Sequence, residues 1–137
     1  MGVGGVVVSE GRALLIKRAH PPLEGEWSIP GGTLELGETI VEGVCRELAE
    51  ETGIEAHVLE LIEVFERIFH DPAGKLRYHF VILDYLCEAV SGEPRAGSDV
   101  SDVAWAAESE LEQYQLTPTA TRVIRKAFKM ARQSQRR

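Results

Sequence analysis

The stretch from Thr39 to Gly53 restricts the fold of this chain more than any other. Thr39 followed three residues later by Glu42 is a capping-box pattern, and Gly53 is the residue type that most readily closes a helix, so a helix is expected over Thr39–Thr52. On a wheel at about 100° per residue with Glu47 at the origin, Val44, Leu48, Val41 and Cys45 fall between about 60° and about 160° and form an apolar face. Glu51 falls near about 40° and Glu50 near about 300°, so three carboxylates share an arc of roughly 100°. That arc borders the apolar face instead of opposing it. Such a helix must lie on other elements with a charged edge held at the boundary of the core.

Those other elements read mainly as strands. Gly5–Ser9 and Ala13–Lys17 are short β-type runs joined by a Glu10-Gly11 turn. His20 to Glu26 is a loop, and Trp27–Ile29 is a short strand expected to stop at Pro30-Gly31-Gly32. Beyond the helix, Val58–Arg67 and the aromatic, β-branched run Tyr78–Cys87 flank a turn at Asp71-Pro72-Ala73-Gly74. A loop over Ser91–Ser98 leads to a strand over Val100–Ala106. A last amphipathic helix runs from Thr117 to about Arg132, with Val123, Ile124, Ala127, Phe128 and Ala131 on its apolar face. There is no internal repeat and no linker, so residues 1–137 are expected to form one domain. Strands, a helix, more strands and a helix imply a mixed sheet with helices packed on it, α+β in class, as in an α/β/α sandwich.

Composition removes several functions. Hydrophobic residues make up 44% and charged residues 27%, which is ordinary for a globular chain and not for a disordered one. No apolar run approaches the roughly 18–20 residues that span a bilayer, and the uncharged start, Gly2–Ser9, lacks the basic flank of a signal peptide. A cytoplasmic protein with no membrane partner is expected, with Cys45 and Cys87 as buried thiols. The net charge of −7, from 22 acids and 15 bases, disfavours nucleic acid as a partner. The charge is unevenly placed. Nine Glu and one Arg lie between Gly32 and Glu63, whereas seven bases and no acid follow Thr117.

The acid arc is the chemical signal. Like charges three and four apart cost a helix roughly 0.2–0.5 kcal/mol per pair. They also raise one another's pKa. Three of them beside the core make sense with a cation between them, and carboxylate oxygens suit Mg²⁺ or Mn²⁺. Gly43, near about 320° on the wheel and so inside the arc, would leave room for a ligand to approach. An exposed Glu-rich helix is the competing reading of the spacing alone.

The wider segment decides between them. Gly31 to Ile54, GGTLELGETIVEGVCRELAEETGI, resembles the Nudix box: Gly32, Glu38, Arg46, Glu47, Leu48, Glu50, Glu51, Gly53 and Ile54 keep every spacing of that pattern. The resemblance implies the Nudix fold and hydrolysis of a nucleoside diphosphate linked to another moiety. It implies that Glu47, Glu50 and Glu51 hold divalent metal with the Gly31 carbonyl, that Glu47 or Glu50 takes the proton of the attacking water, and that Arg46 pairs with Glu38 or another acid of the box. Relatives often add a carboxylate from outside the box, for which Asp99 and Asp102 are the candidates, and many place a phosphate-binding arginine where Arg18 stands.

For the rest of a small nucleotide substrate the candidates are Arg67, which follows an apolar run, and Phe69 and Tyr78, whose rings can stack on a base or serve packing instead. Trp27 has the same two readings, and for all three rings packing is favoured. MutT-type sanitisers of oxidised guanine nucleotides read the base with an Asn before the last helix and carry Phe before the Pro-Gly-Gly. This chain has no Asn at all and has Ile29 there. An ADP-ribose-like diphosphate is therefore the expected substrate, with a MutT-type nucleoside triphosphate hydrolase or a non-catalytic nucleotide-binding module as alternatives. A homodimer is the expected assembly.

Overall fold

In the computed structural model, which describes residues 1–21, 23–97 and 99–135, strand β1 (Gly2–Ser9) divides its pairing between two sheets. Over Gly2–Val7 it runs parallel to β6 (Leu76–Ser91), and on its other edge Gly2–Gly4 pair antiparallel with β4 (Gly31–Thr33). β5 (Glu55–His70) closes that sheet as the antiparallel partner of β6. The end of β1 turns through Glu10 and Gly11, both at positive φ (50° and 75°), into β2 (Arg12–Arg18). Two left-handed residues give the tight turn whose twist suits paired strands. β2 then pairs along its length with β7 (Val100–Ala107) and at its end with β3 (Trp27–Ser28).

Alternation along β1 and β2 builds two cores. Val3, Val7 and Leu14 face helix α1 (Ile40–Thr52), where they meet Val44, Leu48, Ile54 and Cys87. Val6, Ala13 and Leu15 face helix α2 (Pro118–Gln135), where they meet Ile62, Leu86, Leu111, Val123, Ile124, Ala127 and Phe128. Strands covered on both faces read as unbroken apolar runs instead of alternating ones. The result is the α/β/α sandwich expected of the sequence. Among the described residues no helix is long and apolar enough to cross a membrane.

Helix α1 carries the caps its sequence announces. Thr39 Oγ1 accepts from the Glu42 amide at 3.2 Å, Glu42 Oε1 accepts from the Thr39 amide at 2.8 Å, and Gly53 closes the helix at φ 72°. Three expectations fail. Val41 is 49% exposed, and Ile40 instead packs against the core from the first turn. Pro30-Gly31-Gly32 does not end strand pairing, because Gly31–Thr33 add to β1 as β4. Gly43 opens no path for a ligand: it is buried, and a Cβ there would stand 2.6 Å from Leu34 Cδ1 and 3.0 Å from Glu38 Oε1. Its lack of a side chain lets the helix seat against the segment that precedes it. β5 and β6 also outrun the expected Val58–Arg67 and Tyr78–Cys87, forming a long hairpin whose outer half is exposed and carries large apolar side chains, among them Ile68, Phe69, Leu76 and Phe80, between its polar ones. A 3₁₀ turn over Glu108–Tyr114 has no clear signal in the sequence.

Thr39→Ala removes the capping hydrogen bond without touching the core. The expected loss is about 1 kcal/mol of unfolding free energy in chemical denaturation, and a loss near zero would show that tertiary packing alone fixes the start of α1.

Candidate active site

The acid stripe of α1 lies against β4 and the end of β2, and two guanidinium groups hold it there. Arg46 binds Glu38 through both oxygens, from Nε at 2.6 Å and Nη2 at 3.0 Å, and Nη2 also donates to the Thr33 carbonyl at 3.0 Å. Its Nη1 reaches Glu47 Oε1 at 2.9 Å and Glu50 Oε2 at 3.3 Å. The arginine thus occupies the structural place foreseen for it. Arg18 makes the second link, from Nη1 to Glu51 Oε2 at 2.8 Å, and its Nε donates to Ser28 Oγ at 3.2 Å. The other oxygen of Glu51 accepts from the Gly31 amide at 2.7 Å.

Burial grades the three acids. Glu51 and Glu47 are largely enclosed, whereas the Glu50 side chain is half exposed. Burial pushes the Glu51 carboxyl up to about 7, against the pull of Arg18 and the Gly31 amide. Burial also raises Glu47, opposed by Arg46. Glu38 is held below its ordinary value by the Arg46 hydrogen bond. Removing either arginine would leave enclosed carboxylates uncompensated, the costly way to break such a pair. Among the described residues no three His, Cys, Asp or Glu side chains converge to enclose a metal as they stand. The donor set nevertheless has the hard-oxygen chemistry that Mg²⁺ and Mn²⁺ prefer, and a cation would take over the neutralising role of the Nη1 group of Arg46.

The remaining candidates fall into two groups. Asp99 and Asp102 flank Val100, the residue paired with Arg18, so they stand at the Arg18 end of β2. Asp99 Oδ1 lies 3.6 Å from His20 Nε2, and Asp102 faces Lys17 across the ladder; both are exposed and neither bonds the acid cluster. Arg67, Phe69 and Tyr78 lie on the outer half of the β5–β6 hairpin. Phe69 stacks on Tyr78 at 5.1 Å between ring centres, and Arg67 pairs with Phe80 one step inward. They group with one another and not with the acids. Trp27 is engaged by the edge of Tyr114 at 5.0 Å, as packing requires, and borders a cavity of about 380 Å³ that Gln113 and Gln115 also line.

Sequence reasoning passes over Ser28, the Glu63–Arg122 ion pair and Asp84. Asp84 is 4% exposed in the middle of β6, and burial pushes its carboxyl up to about 6. Its one signal is a lone acid inside the apolar run YHFVILDYLC.

Comparison with known proteins bears on the family and the fold. The NUDIX domain family matches residues 1–127. The chain is 37% identical to a MutT-like protein of Streptomyces ambofaciens over 90% of its own length and 74% of that protein. It is 35% identical to an ADP-ribose pyrophosphatase of Methanocaldococcus jannaschii over 74% of its own length, and spans 58% of that protein. A crystal structure of a MutT NUDIX hydrolase from Burkholderia pseudomallei superposes with a TM-score of 0.77 at 35% identity, covering 91% of this chain and 95% of that one.

The raised carboxyl of Glu51 has a consequence for stability. Between its ordinary value of 4.5 and about 7, the unfolded chain holds fewer protons at this group than the folded one. Stability therefore falls as pH rises through that window. In metal-free buffer Glu51→Gln is expected to flatten the decline of melting temperature between pH 4.5 and pH 7, with Asp84 and Glu47, also raised by burial, supplying the residual slope. An unchanged slope would show that Glu51 does not set it.

Proposed function

The chain belongs to the Nudix family, and on that footing we propose that it hydrolyses a nucleoside diphosphate joined to a second moiety, with ADP-ribose as the type of substrate. The observation that carries this reading is the gathering of Glu47, Glu50 and Glu51 beside Gly31, with Arg18 and Arg46 as their only guanidinium partners among the described residues. Glu47, Glu50, Glu51 and the Gly31 carbonyl would hold Mg²⁺ or Mn²⁺, which supplies the positive charge that a diphosphate needs in the transition state.

The residues of the chain do the rest. Arg46 keeps Glu38 and Thr33 through Nε and Nη2, so the box stays anchored when Nη1 gives up Glu47 and Glu50. Glu47 or Glu50 takes one proton from the attacking water. The water oxygen bonds to one phosphorus as the bridging P–O bond breaks, giving two monophosphates. Arg18, at the edge of the cluster, binds a phosphate oxygen. Asp99 and Asp102 stand at the same end of β2 and offer a further carboxylate. Arg67, Phe69 and Tyr78 hold the distal part of the substrate.

The similarity to a MutT-like protein favours a second reading, hydrolysis of a nucleoside triphosphate. The absence of any Asn and the presence of Ile29 before Pro30 weigh against reading oxidised guanine. A comparison of kcat/KM for ADP-ribose, diadenosine polyphosphates, dNTPs and 8-oxo-dGTP is expected to rank ADP-ribose above 8-oxo-dGTP. A tenfold preference for 8-oxo-dGTP, about 1.4 kcal/mol in transition-state binding, would replace this reading with nucleotide-pool sanitation.

Residues 1–137 act as one catalytic domain in this reading. Cys45 and Cys87, which form no disulfide, suit a cytoplasmic setting. Val64, Ile68, Leu76 and Val81, exposed on the β5–β6 hairpin, offer a second copy of the chain an apolar surface for a homodimer.

Glu50→Gln and Glu51→Gln are each expected to lower kcat by roughly 10²-fold or more while the fold persists. Millimolar Mg²⁺ is expected to raise the melting temperature of the parent protein by mass action, and to do so less in the variants. Turnover near the parent value in either variant at saturating metal would refute the assignment of the cluster.

A further inference from the structure

Across four strands, β4, β1, β6 and β5, the pairing aligns Gly31, Gly4, Asp84 and Glu63 in one row. Two of the four have no side chain. Asp84 leans over Gly4, where a Cβ would collide with its Oδ1. Neighbouring strands stand about 4.8 Å apart, so the backbone of Asp84 lies about 10 Å from that of Gly31. Gly31 in turn binds Glu51. From the acid cluster to Asp84 the sheet is therefore a strip of bare backbone ending in a carboxylate.

That residue is only 4% exposed, and its carboxylate has no donor of its own. Among the described residues none donates a hydrogen bond to it. Glu63 is taken by Arg122, and Arg67 acts on Asp84 only through space from an exposed position. A buried polar group left unpaired is costly, and native chains seldom keep one without a use. No fully enclosed side-chain polar atom among the described residues lacks a partner, so the oxygens of Asp84 must reach the surface through the little exposure it has. They open on the face that α2 covers further along, at Val6 and Leu86. By alternation Ile82 shares that face, with Phe65 opposite it, and Ile29 and Phe65 border the core beneath α2. The strip thus has a polar end and apolar flanks, a lining that suits a flat ring with a polar edge.

We propose that Asp84 reads the nucleobase of the substrate, accepting a hydrogen bond from an exocyclic amino group, while the phosphates lie at the acid cluster. The inference rests on the reading of that cluster as a nucleotide hydrolase site. An acceptor oxygen remains on the carboxyl in either protonation state. Adenine, guanine and cytosine offer it an N–H donor; an oxo group at the same ring position sets oxygen against oxygen. Asp84 would supply the base-reading group in a chain that has no Asn.

Paired ligands that differ by amino for oxo at one ring position test this. They are ADP-ribose against its hypoxanthine analogue for kcat/KM, and AMP against IMP for calorimetric binding. The parent protein is expected to favour the amino member at least tenfold in both. Asp84→Asn, whose amide also donates, is expected to narrow the preference to within about threefold or to invert it, with the loss on the amino member falling in KM. Asp84→Ser provides a second variant, and melting temperatures confirm that each folds. A parent ratio near one, or a ratio unchanged in both variants, would overturn the proposal. If the parent protein hydrolyses neither diphosphate, the hydrolase reading fails while the AMP and IMP affinities still decide the role of Asp84.

Discussion

The carboxylate of Glu51 joins three parts of the chain that nothing else brings together so closely. One oxygen takes the amide of Gly31 on β4 and the other takes Arg18 at the end of β2, while the residue itself belongs to the last turn of α1. An ionised carboxylate this enclosed costs several kcal/mol in desolvation unless it is paired and hydrogen-bonded. The pairing therefore demands that β4 and β2 arrive at set positions beneath the helix. The position of β4 in turn fixes Gly31 and Gly32 beside Glu47. The acid cluster is in this sense a joint of the fold as well as its candidate site, and burial there pushes the carboxyls of Glu47 and Glu51 toward the neutral form despite the arginines beside them.

Much of this is legible in the amino-acid sequence, and the reasons are local. Thr39, Glu42 and Gly53 cap α1 through hydrogen bonds and a dihedral that depend on a few adjacent residues. Glu10-Gly11 turns for the same kind of reason. Where the outcome depends on distant partners, local signals mislead. Val41 carries the right hydrophobicity for the core face, but burial is decided by where the sheet lies, and Ile40 reaches it instead. Gly31 and Gly32 carry little β-propensity to announce a strand; the segment pairs because β1 presents a free edge there. Gly43 suggests space for a ligand on the wheel because a wheel shows which residues share an arc and not what the arc presses against.

The candidate site divides along the same line. The acids are visible because helical periodicity converts sequence spacing into shared direction. Arg18 is picked out only by the resemblance, as a candidate phosphate ligand, and that it binds Glu51, 33 positions away, cannot be read from spacing. Asp84 escapes for the opposite reason. A single acid in a β-rich apolar run is invisible to periodicity, since period 2 says only which face it takes and not whether that face is open or covered at that row. Here α2 covers the row of Leu86 and Val6, and the next row outward is the one that holds Asp84.

That geometry separates two tasks onto two faces of one sheet. On the α1 side lie the carboxylates and guanidiniums suited to charge; on the α2 side lie Asp84, Ile82 and Phe65, suited to a ring with a polar edge. They meet at β4 and β1, where glycines keep the crossing flat. On the proposed reading, a substitution on the α2 side can then change which ring is held without moving any group of the acid cluster, because the two sets share backbone and not side chains. The converse does not hold. Glu51 supports the position of Gly31 and hence the end of the strip, so a change in the acid cluster reaches both faces. On the proposed reading chemistry is the harder of the two to alter, and specificity the easier, because Glu51 ties β4 and β2 to the helix whereas Asp84, though buried, accepts no hydrogen bond that holds another element in place among the described residues.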